Sequence, residues 1–285
     1  MKTKPECLDC FIRQMERVAD RFSAKEEVKK QTARNIREFL ANSTFDLAPP
    51  YLSEKIYQMI KDSVGKVDPY QSVKKSQNDM ALMLEERIEN LIRGSDNPVL
   101  TAIKCSIAGN TIDFGAQKID TDVEKAIDKI IKSRFSESVT RQFFVDLNRS
   151  RKAVIVLDNC GEVVFDKLLI KTIKERFDIE FTAVVRGGPI INDVTAEDAR
   201  YVGIDRYAEI VESSFAAPGA LAKRDEKLKK LFDNSDMIIS KGQGNFESLS
   251  ETGWTVYFLF LSKCDVVSRI TGSSLFSPLF FKQTG

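Results

Sequence analysis

Histidine is absent from all 285 residues, and with it go the Ser-His-Asp triad, the Cys-His dyad and every imidazole metal site. Chemistry near neutral pH must then rest on carboxylates, Lys, Arg, Cys, Tyr or a bound metal. Net charge is nearly absent too: 43 Lys and Arg face 42 Asp and Glu, leaving +1. That balance lacks the basic footprint of a nucleic-acid binder or of a protein that sits on an anionic membrane. Long apolar runs are missing as well, since the longest, Trp254 to Leu261, is far short of the roughly 20 residues that cross a bilayer. The N-terminus, Met1-Lys2-Thr3-Lys4-Pro5-Glu6, has no apolar stretch of the secretory kind. Five cysteines, an odd number in a chain this long, do not read as a disulfide framework. The expectation is a cytoplasmic protein whose partner is neither nucleic acid nor membrane; composition leaves the oligomeric state open.

What is present is ordinary globular material, 42% hydrophobic and 30% charged, enough for one large domain or two modest ones. The texture changes along the chain. From Glu6 to about Arg93 the spacing is helical: Phe11, Met15 and Val18 share one stripe, and Ile36, Phe39 and Leu40 another. Pro49-Pro50 interrupts it, Leu52, Ile56 and Ile60 restart it, and Asp68-Pro69-Tyr70 is a turn placed to cap or precede a long segment from Ser72 to Ile92. Asn97-Pro98 marks a boundary, followed by an apolar helix over Leu100 to Ile107. After Ala153 strands alternate with helices. Strands are predicted at Ala153–Leu157, Glu180–Val185, Met237–Ser240 and Thr255–Leu261, and helices at Val163–Arg176, Val194–Tyr201 and Leu221–Phe232. This rhythm predicts an α/β fold, a parallel doubly wound sheet with right-handed crossovers, behind an all-α N-terminal part. The division drawn is 1–95 helical, on the substrate side, and 96–285 α/β, metal-binding and catalytic.

Polar residues of the α/β half gather where strands end, which is where open parallel sheets bind ligands. Val154 to Leu157 runs into Asp158-Asn159-Cys160-Gly161-Glu162. The second strand runs into Arg186-Gly187-Gly188-Pro189, ending at Asn192-Asp193, and the third into Lys241-Gly242-Gln243-Gly244-Asn245. The last two pair a cation with glycines whose backbone N–H groups can approach an anion closely. Neither is a P-loop or a dinucleotide fingerprint. Asp158, Asn159 and Asp193 supply oxygen ligands suited to octahedral Mg²⁺ or Mn²⁺ rather than to tetrahedral zinc. The plainer alternatives are that Asp193 caps the helix entered by Val194 and that Asp158-Asn159 forms an Asx turn.

These runs, with Ala108-Gly109-Asn110-Thr111-Ile112-Asp113, Asp68-Pro69-Tyr70 and Cys7-x-x-Cys10 upstream, resemble the metal-dependent damage-control phosphatases, also known as domain of unknown function 89. The short archaeal and bacterial members with an N-terminal Cys-x-x-Cys look most similar. The resemblance covers nearly the whole chain in the expected order. It implies a three-layer α/β/α, Rossmann-like domain behind the helical region, and a divalent metal (Mn²⁺, Co²⁺, Ni²⁺ or Mg²⁺) held at Asp158, Asn159 and Asp193. It places Asn110, Asp113, Arg186 and the Lys241 to Asn245 loop around the substrate. The implied activity is hydrolysis of phosphate monoesters, small sugar phosphates or damaged phosphometabolites.

On that reading the metal activates a water, and Lys241 with the loop N–H groups neutralises charge on the phosphoryl oxygens. Arg186 either clamps the phosphate bidentately or pairs with a carboxylate. Glu162 orients or deprotonates the water, or simply opens the following helix, where the dipole favours a carboxylate. An aspartyl-phosphate on Asp158 is the competing route; it is disfavoured because position 160, where a second Asp would act as acid, is Cys160. Cys7 and Cys10 form half of a structural metal site that Cys105 and Cys264 would complete, a redox pair, or plain thiols on a helix. Two other functions fit less well: a non-catalytic phosphometabolite sensor using the same loops, and a carboxyl methyltransferase. The latter lacks a glycine-rich S-adenosylmethionine loop after the first strand.

Overall fold

The six helices that open the chain are α1 (Glu6–Arg21), α2 (Glu26–Ala41), α3 (Pro49–Val64), α4 (Gln71–Met83), α5 (Glu85–Arg93) and α6 (Pro98–Gly109). They belong to a computed structural model that describes residues 1–21, 25–65, 68–110, 127 and 129–285. The helical pattern is broken after α2 and restarts at Pro49-Pro50, which occupy the first turn of α3, where a missing N–H costs nothing. Asn97 caps α6 by accepting a hydrogen bond from the Leu100 N–H. The segment 72–92 is two helices, because the chain turns at Leu84 and its buried side chain ends one apolar stripe and begins the next.

After α7 (Glu137–Arg149) the chain alternates: β1 (Lys152–Val156), α8 (Glu162–Lys174), β2 (Glu180–Val185), α9 (Ala196–Tyr201), β3 (Glu209–Glu212), α10 (Glu226–Asp233), β4 (Met237–Lys241), α11 (Gln243–Leu249), β5 (Val256–Leu261), α12 (Asp265–Thr271) and β6 (Pro278–Gln283). The sheet order is β3-β2-β1-β4-β5-β6. Five strands are parallel, and β6 returns antiparallel along β5 to close the edge. The alternation of strand residues sorts them into two apolar layers. Ala153, Ile155 and Leu157 of the β1 segment, with Tyr257 and Leu259 of β5, face α6 and α8. Val154, Val156, Phe258 and Phe260 face the opposite layer, which includes Leu228 and Phe246. This is the three-layer α/β/α architecture.

Texture and packing divide the chain differently. α1, α2 and α3 share their own apolar cluster, joined by Ile190 from the loop after β2. Ala81, Leu84, Ile88 and Ile92 of the α4–α5 segment instead enter the main core beside α6 and α8. The boundary placed at residue 95 therefore does not coincide with a break in packing. Among the described residues no helix is long and apolar enough to cross a membrane.

Candidate active site

The order 3-2-1-4 reverses direction between β1 and β4, and open sheets form their ligand crevice at the carboxyl ends of such neighbouring strands. Asp158 lies just past β1, Lys241 ends β4, and the loop after β2 returns to lie across them. An isolated antiparallel bridge joins Asn159 to Asp193. The Cys160 N–H donates to the Asn192 carbonyl at 2.8 Å and the Val194 N–H to the Asp158 carbonyl at 2.8 Å. Two strand ends that are distant in sequence are thereby stitched together by backbone.

Arg186 sits at the centre, only 1% exposed. Nε donates to Asp193 Oδ2 at 2.6 Å, Nη1 to Asn245 Oδ1 at 2.9 Å and Nη2 to Asp158 Oδ1 at 3.0 Å. The planar fork thus fixes two carboxylates and an amide in one geometry. Asn245 is fixed in turn: Nδ2 donates to the Leu157 carbonyl at 3.0 Å and the Lys241 carbonyl at 2.7 Å. Asn159 Nδ2 donates to Asp158 Oδ2 at 2.6 Å.

A second buried group adjoins the first. Lys241, fully buried, donates to the Ser106 carbonyl at 2.9 Å and lies 2.9 Å from Asp166 Oδ1, and it also pairs with Glu162 Oε1. Asn110 Nδ2 donates to the other Glu162 oxygen, and Ser106 Oγ donates to Asp166 at 2.6 Å. Glu162 and Asp166 stand four residues apart on α8, the spacing that puts both carboxylates on one helix face.

The electrostatics carry the chemical meaning. Four buried carboxylates (Asp158, Glu162, Asp166, Asp193) face two buried cations, Arg186 and Lys241. With all six ionised the cluster holds two negative charges in excess. Burial pushes the Asp158 carboxyl up to about 8, with Asp193 and Glu162 adding to the push and Arg186 and Lys263 opposing it. Burial likewise raises Asp193 against the pull of Arg186. It raises Asp166 to about 6 against Lys241. Burial alone would lower the Lys241 ammonium, but Asp166 and Glu162 outweigh it and hold the pKa above the usual lysine range.

A divalent cation suits this cluster on two grounds. Its charge equals the excess, and Asp158, Asn159 and Asp193 present oxygen donors of the kind hard cations take. The set is two carboxylates and an amide; among the described residues no three Cys, Asp or Glu side chains gather in metal-holding geometry. In addition, Asn110 Oδ1 is buried with no hydrogen-bond partner among the described residues, an acceptor that bound ligand or water would satisfy.

The remaining residues expected at the site take varied places. Asp193 does not cap a helix: Thr195 caps α9, in a reciprocal capping box with Asp198. The Gly187 N–H is engaged, donating to the Phe215 carbonyl and to Ser213 Oγ at 3.1 Å each. Gly242 has φ +78 and backs directly onto Asp158, so that a Cβ there would lie 2.0 Å from Oδ2. Gly244 allows α11 to meet the 218–219 segment, where a Cβ would stand 1.8 Å from the Pro218 carbonyl oxygen. Asp113 lies outside the described residues. Cys105 is buried in the main core beside α8, whereas Cys7 is half-buried and Cys10 exposed on α1. All five cysteines are free thiols.

Three site residues, Asp166, Ser106 and Asn78, stand outside the motifs that mark the strand ends. For Asp166 a signal does exist, because the Glu162–Asp166 spacing marks a doubly acidic face on a largely apolar first half of the helix. Asn78 Oδ1 accepts the Gly161 N–H at 2.7 Å and so holds the turn between Asp158 and α8. Lys74, 4% exposed, reaches Asp68 at 3.1 Å and Asp198 at 2.8 Å, while Lys61 Nζ donates to the Pro189 carbonyl at 2.7 Å. The helical region thus grips both ends of the loop that carries Asp193.

Comparison with known proteins identifies the family. Residues 3–277 match the model of the damage-control phosphatase ARMT1-like domain. The chain is 32% identical over 280 residues to a damage-control phosphatase of Archaeoglobus fulgidus, covering 95% of this chain and 96% of that one. It is 28% identical over 272 residues to a damage-control phosphatase of Pyrococcus horikoshii, covering 94% of each. A crystal structure of a domain-of-unknown-function-89 family protein from P. horikoshii superposes with a TM-score of 0.88 at 27% identity, over 99% of both chains. With its fold and almost its whole length accounted for in this way, the chain belongs to the damage-control phosphatase ARMT1-like domain family.

Proposed function

We propose that this protein is a metal-dependent phosphatase that hydrolyses small phosphorylated metabolites, sugar phosphates or damaged phosphometabolites. The observation that carries the reading is the buried Asp158–Asp193–Glu162–Asp166 cluster at the strand ends, four carboxylates gathered around the two cations Arg186 and Lys241. Relatives that share nearly the full length of the chain are named damage-control phosphatases, which supports it.

Asp158, Asn159 and Asp193 would hold a divalent cation: Mn²⁺, Co²⁺, Ni²⁺ or Mg²⁺. When bound, such a cation polarises a phosphoryl oxygen and lowers the pKa of a water towards neutrality. The remaining tasks fall to the chain. Arg186 keeps the Asp158 and Asp193 carboxylates at fixed separation; three of its five N–H donors go to them and to Asn245 and it is buried, so its role is positioning and not clamping phosphate. Lys241 sets the place of Glu162 and Asp166 and lends positive potential to the pocket floor. Glu162 orients Asn110 and would take the proton of the attacking water. Burial excludes bulk solvent and strengthens each of these interactions.

The test is phosphate release from a panel of phosphomonoesters by protein loaded in turn with Mg²⁺, Mn²⁺, Co²⁺ and Ni²⁺. Asp158→Ala is expected to lower kcat/KM by at least about 100-fold, the scale of losing a ligand that organises the reacting oxygens. Undiminished release by that variant would overturn the proposal.

A further inference from the structure

Two cavities flank the buried cluster, and they differ in charge. One, about 860 Å³, lies between α4 and α9; its lysines, Lys74 and Lys75, are outnumbered by Asp68, Glu197 and Asp198, and it contains none of the four cluster carboxylates. The other, about 490 Å³, starts at Asn110, whose amide donates to Glu162, and extends past Lys129, Ile130, Leu261, Lys263 and Phe276. Among the described residues no acidic side chain lines this second cavity. Lys129 and Lys263 are both exposed, and neither forms an ion pair with a described residue. Lys263 is near enough to the cluster to pull against the upward shift of Asp158.

Phe276 gives the cavity a further mark. It is 62% exposed and holds φ at +58, a left-handed conformation that costs a non-glycine residue on the order of 1 kcal/mol. The Phe276 N–H donates to the Ser262 carbonyl at 2.6 Å, which fixes the turn. An exposed aromatic held in a strained turn, beside two cations that have no ion-pair partner among the described residues, is poor material for stability. It is suitable material for contacting a ligand.

We propose that this cavity seats the organic part of the substrate and that it selects phosphomonoesters with an apolar body and a second anionic group. The inference rests on the phosphatase reading for the position of the scissile phosphate. The apolar body meets Ile130, Leu261 and Phe276, and the second anion meets Lys129 and Lys263 at the rim. Neutral sugar phosphates leave both lysines without a partner and fill the apolar wall poorly.

A matched pair of esters tests this. 4-Carboxyphenyl phosphate and 4-carbamoylphenyl phosphate share ring and scissile bond and differ in the second negative charge. The ratio of their kcat/KM values is measured in the metal-loaded wild type and in Lys129→Gln, Lys263→Gln and Lys263→Glu; comparing ratios cancels the difference in leaving group and any general loss of rate. Each Gln variant is expected to lower the preference for the carboxylate about fivefold, the scale of one partly screened ion pair. Lys263→Glu is expected to lower it further. A ratio unchanged in all three variants would overturn the inference.

A second arm is independent of turnover: calorimetric binding of 4-carboxybenzylphosphonate, which cannot be hydrolysed. If no ester releases phosphate, the phosphatase reading fails and this arm alone decides the cavity. Weaker binding in the lysine variants supports it, and equal binding in wild type and variants overturns it.

Discussion

Lys241 shows at the residue scale how narrowly this site is balanced. Its ammonium faces Glu162 and Asp166 with no solvent between, and a buried pair broken on one side costs about 3–5 kcal/mol because the partner charge is left uncompensated. Lys241→Met is therefore expected to destabilise the fold by about that much at pH 8. The sign of the pH dependence comes from Asp166. Its folded pKa, about 6, lies above the ordinary carboxylate value, so the folded state binds the proton more tightly than the unfolded chain does. Stability is then fullest at low pH and falls as pH rises through that window. Removing Lys241 widens the effect, and the Met variant should lose much of its deficit at pH 5. Equal destabilisation at pH 5 and pH 8, read by urea denaturation, would show that the pair is not the cause. Glu247 provides a control away from the site. Burial raises it to about 7, while Gln243 Nε2 donates to it at 2.9 Å. Glu247→Gln keeps the shape and removes the cost of burying the charge. It is expected to gain about 1–2 kcal/mol at pH 8, discounted for partial exposure, and to gain nothing at pH 4.

At the scale of elements, the site is made by the residues immediately past each strand. β1 ends in Asp158-Asn159, β2 in the arginine loop, and β4 in Lys241 with Gly242. The turn at Gly242 is the most constrained of these, being left-handed and pressed against Asp158. Gly242→Ala should displace the Asp158 carboxylate and cost about 2 kcal/mol or more, from backbone strain and steric overlap together. A variant as stable and active as wild type would mean that the turn adapts freely.

These strand ends are legible in the sequence because buried parallel strands read as apolar runs that stop abruptly on polar residues. Ile155 and Leu157 end on Asp158, and Ile239 ends on Ser240-Lys241. The elements that escape are those without this contrast. β3 is four residues, Glu209 to Glu212, exposed at both ends and half-buried between, and an edge strand of that kind carries little pattern. β6 begins at Pro278 and pairs antiparallel at the other edge, where its missing N–H is tolerated. The predicted helix over 221–232 starts only at Glu226, because Asp225 caps it with its side chain. Within the site, Asp158, Asp193 and Lys241 can be named from sequence, but their partners cannot. That Arg186 serves Asp158, Asp193 and Asn245 together depends on three loops meeting, and periodicity does not encode such a meeting.

The whole molecule joins a helical region and an α/β domain through the loop that carries Asp193. Ile190 enters the α1–α3 cluster, Lys74 pairs with Asp68 and Asp198, and Lys61 holds the Pro189 carbonyl. A cation held at Asp158 and Asp193 would thus tie together both apolar bodies. Binding to the folded state alone stabilises by mass action, about 2.7 kcal/mol when the free cation is at 100 times its Kd. The melting temperature should accordingly rise with Mn²⁺ in the wild type and stay flat in Asp193→Asn.

The direct question is whether Asp158 and Asp193 hold a divalent cation at all, and electron paramagnetic resonance of Mn²⁺ answers it without reference to turnover. When chelator-treated protein is titrated, the expected result is one tightly bound Mn²⁺ per chain in the wild type and none in the Asp158→Asn, Asp193→Asn double variant. Mn²⁺ binding of equal stoichiometry and affinity in both proteins would contradict the assignment of these carboxylates as the metal centre.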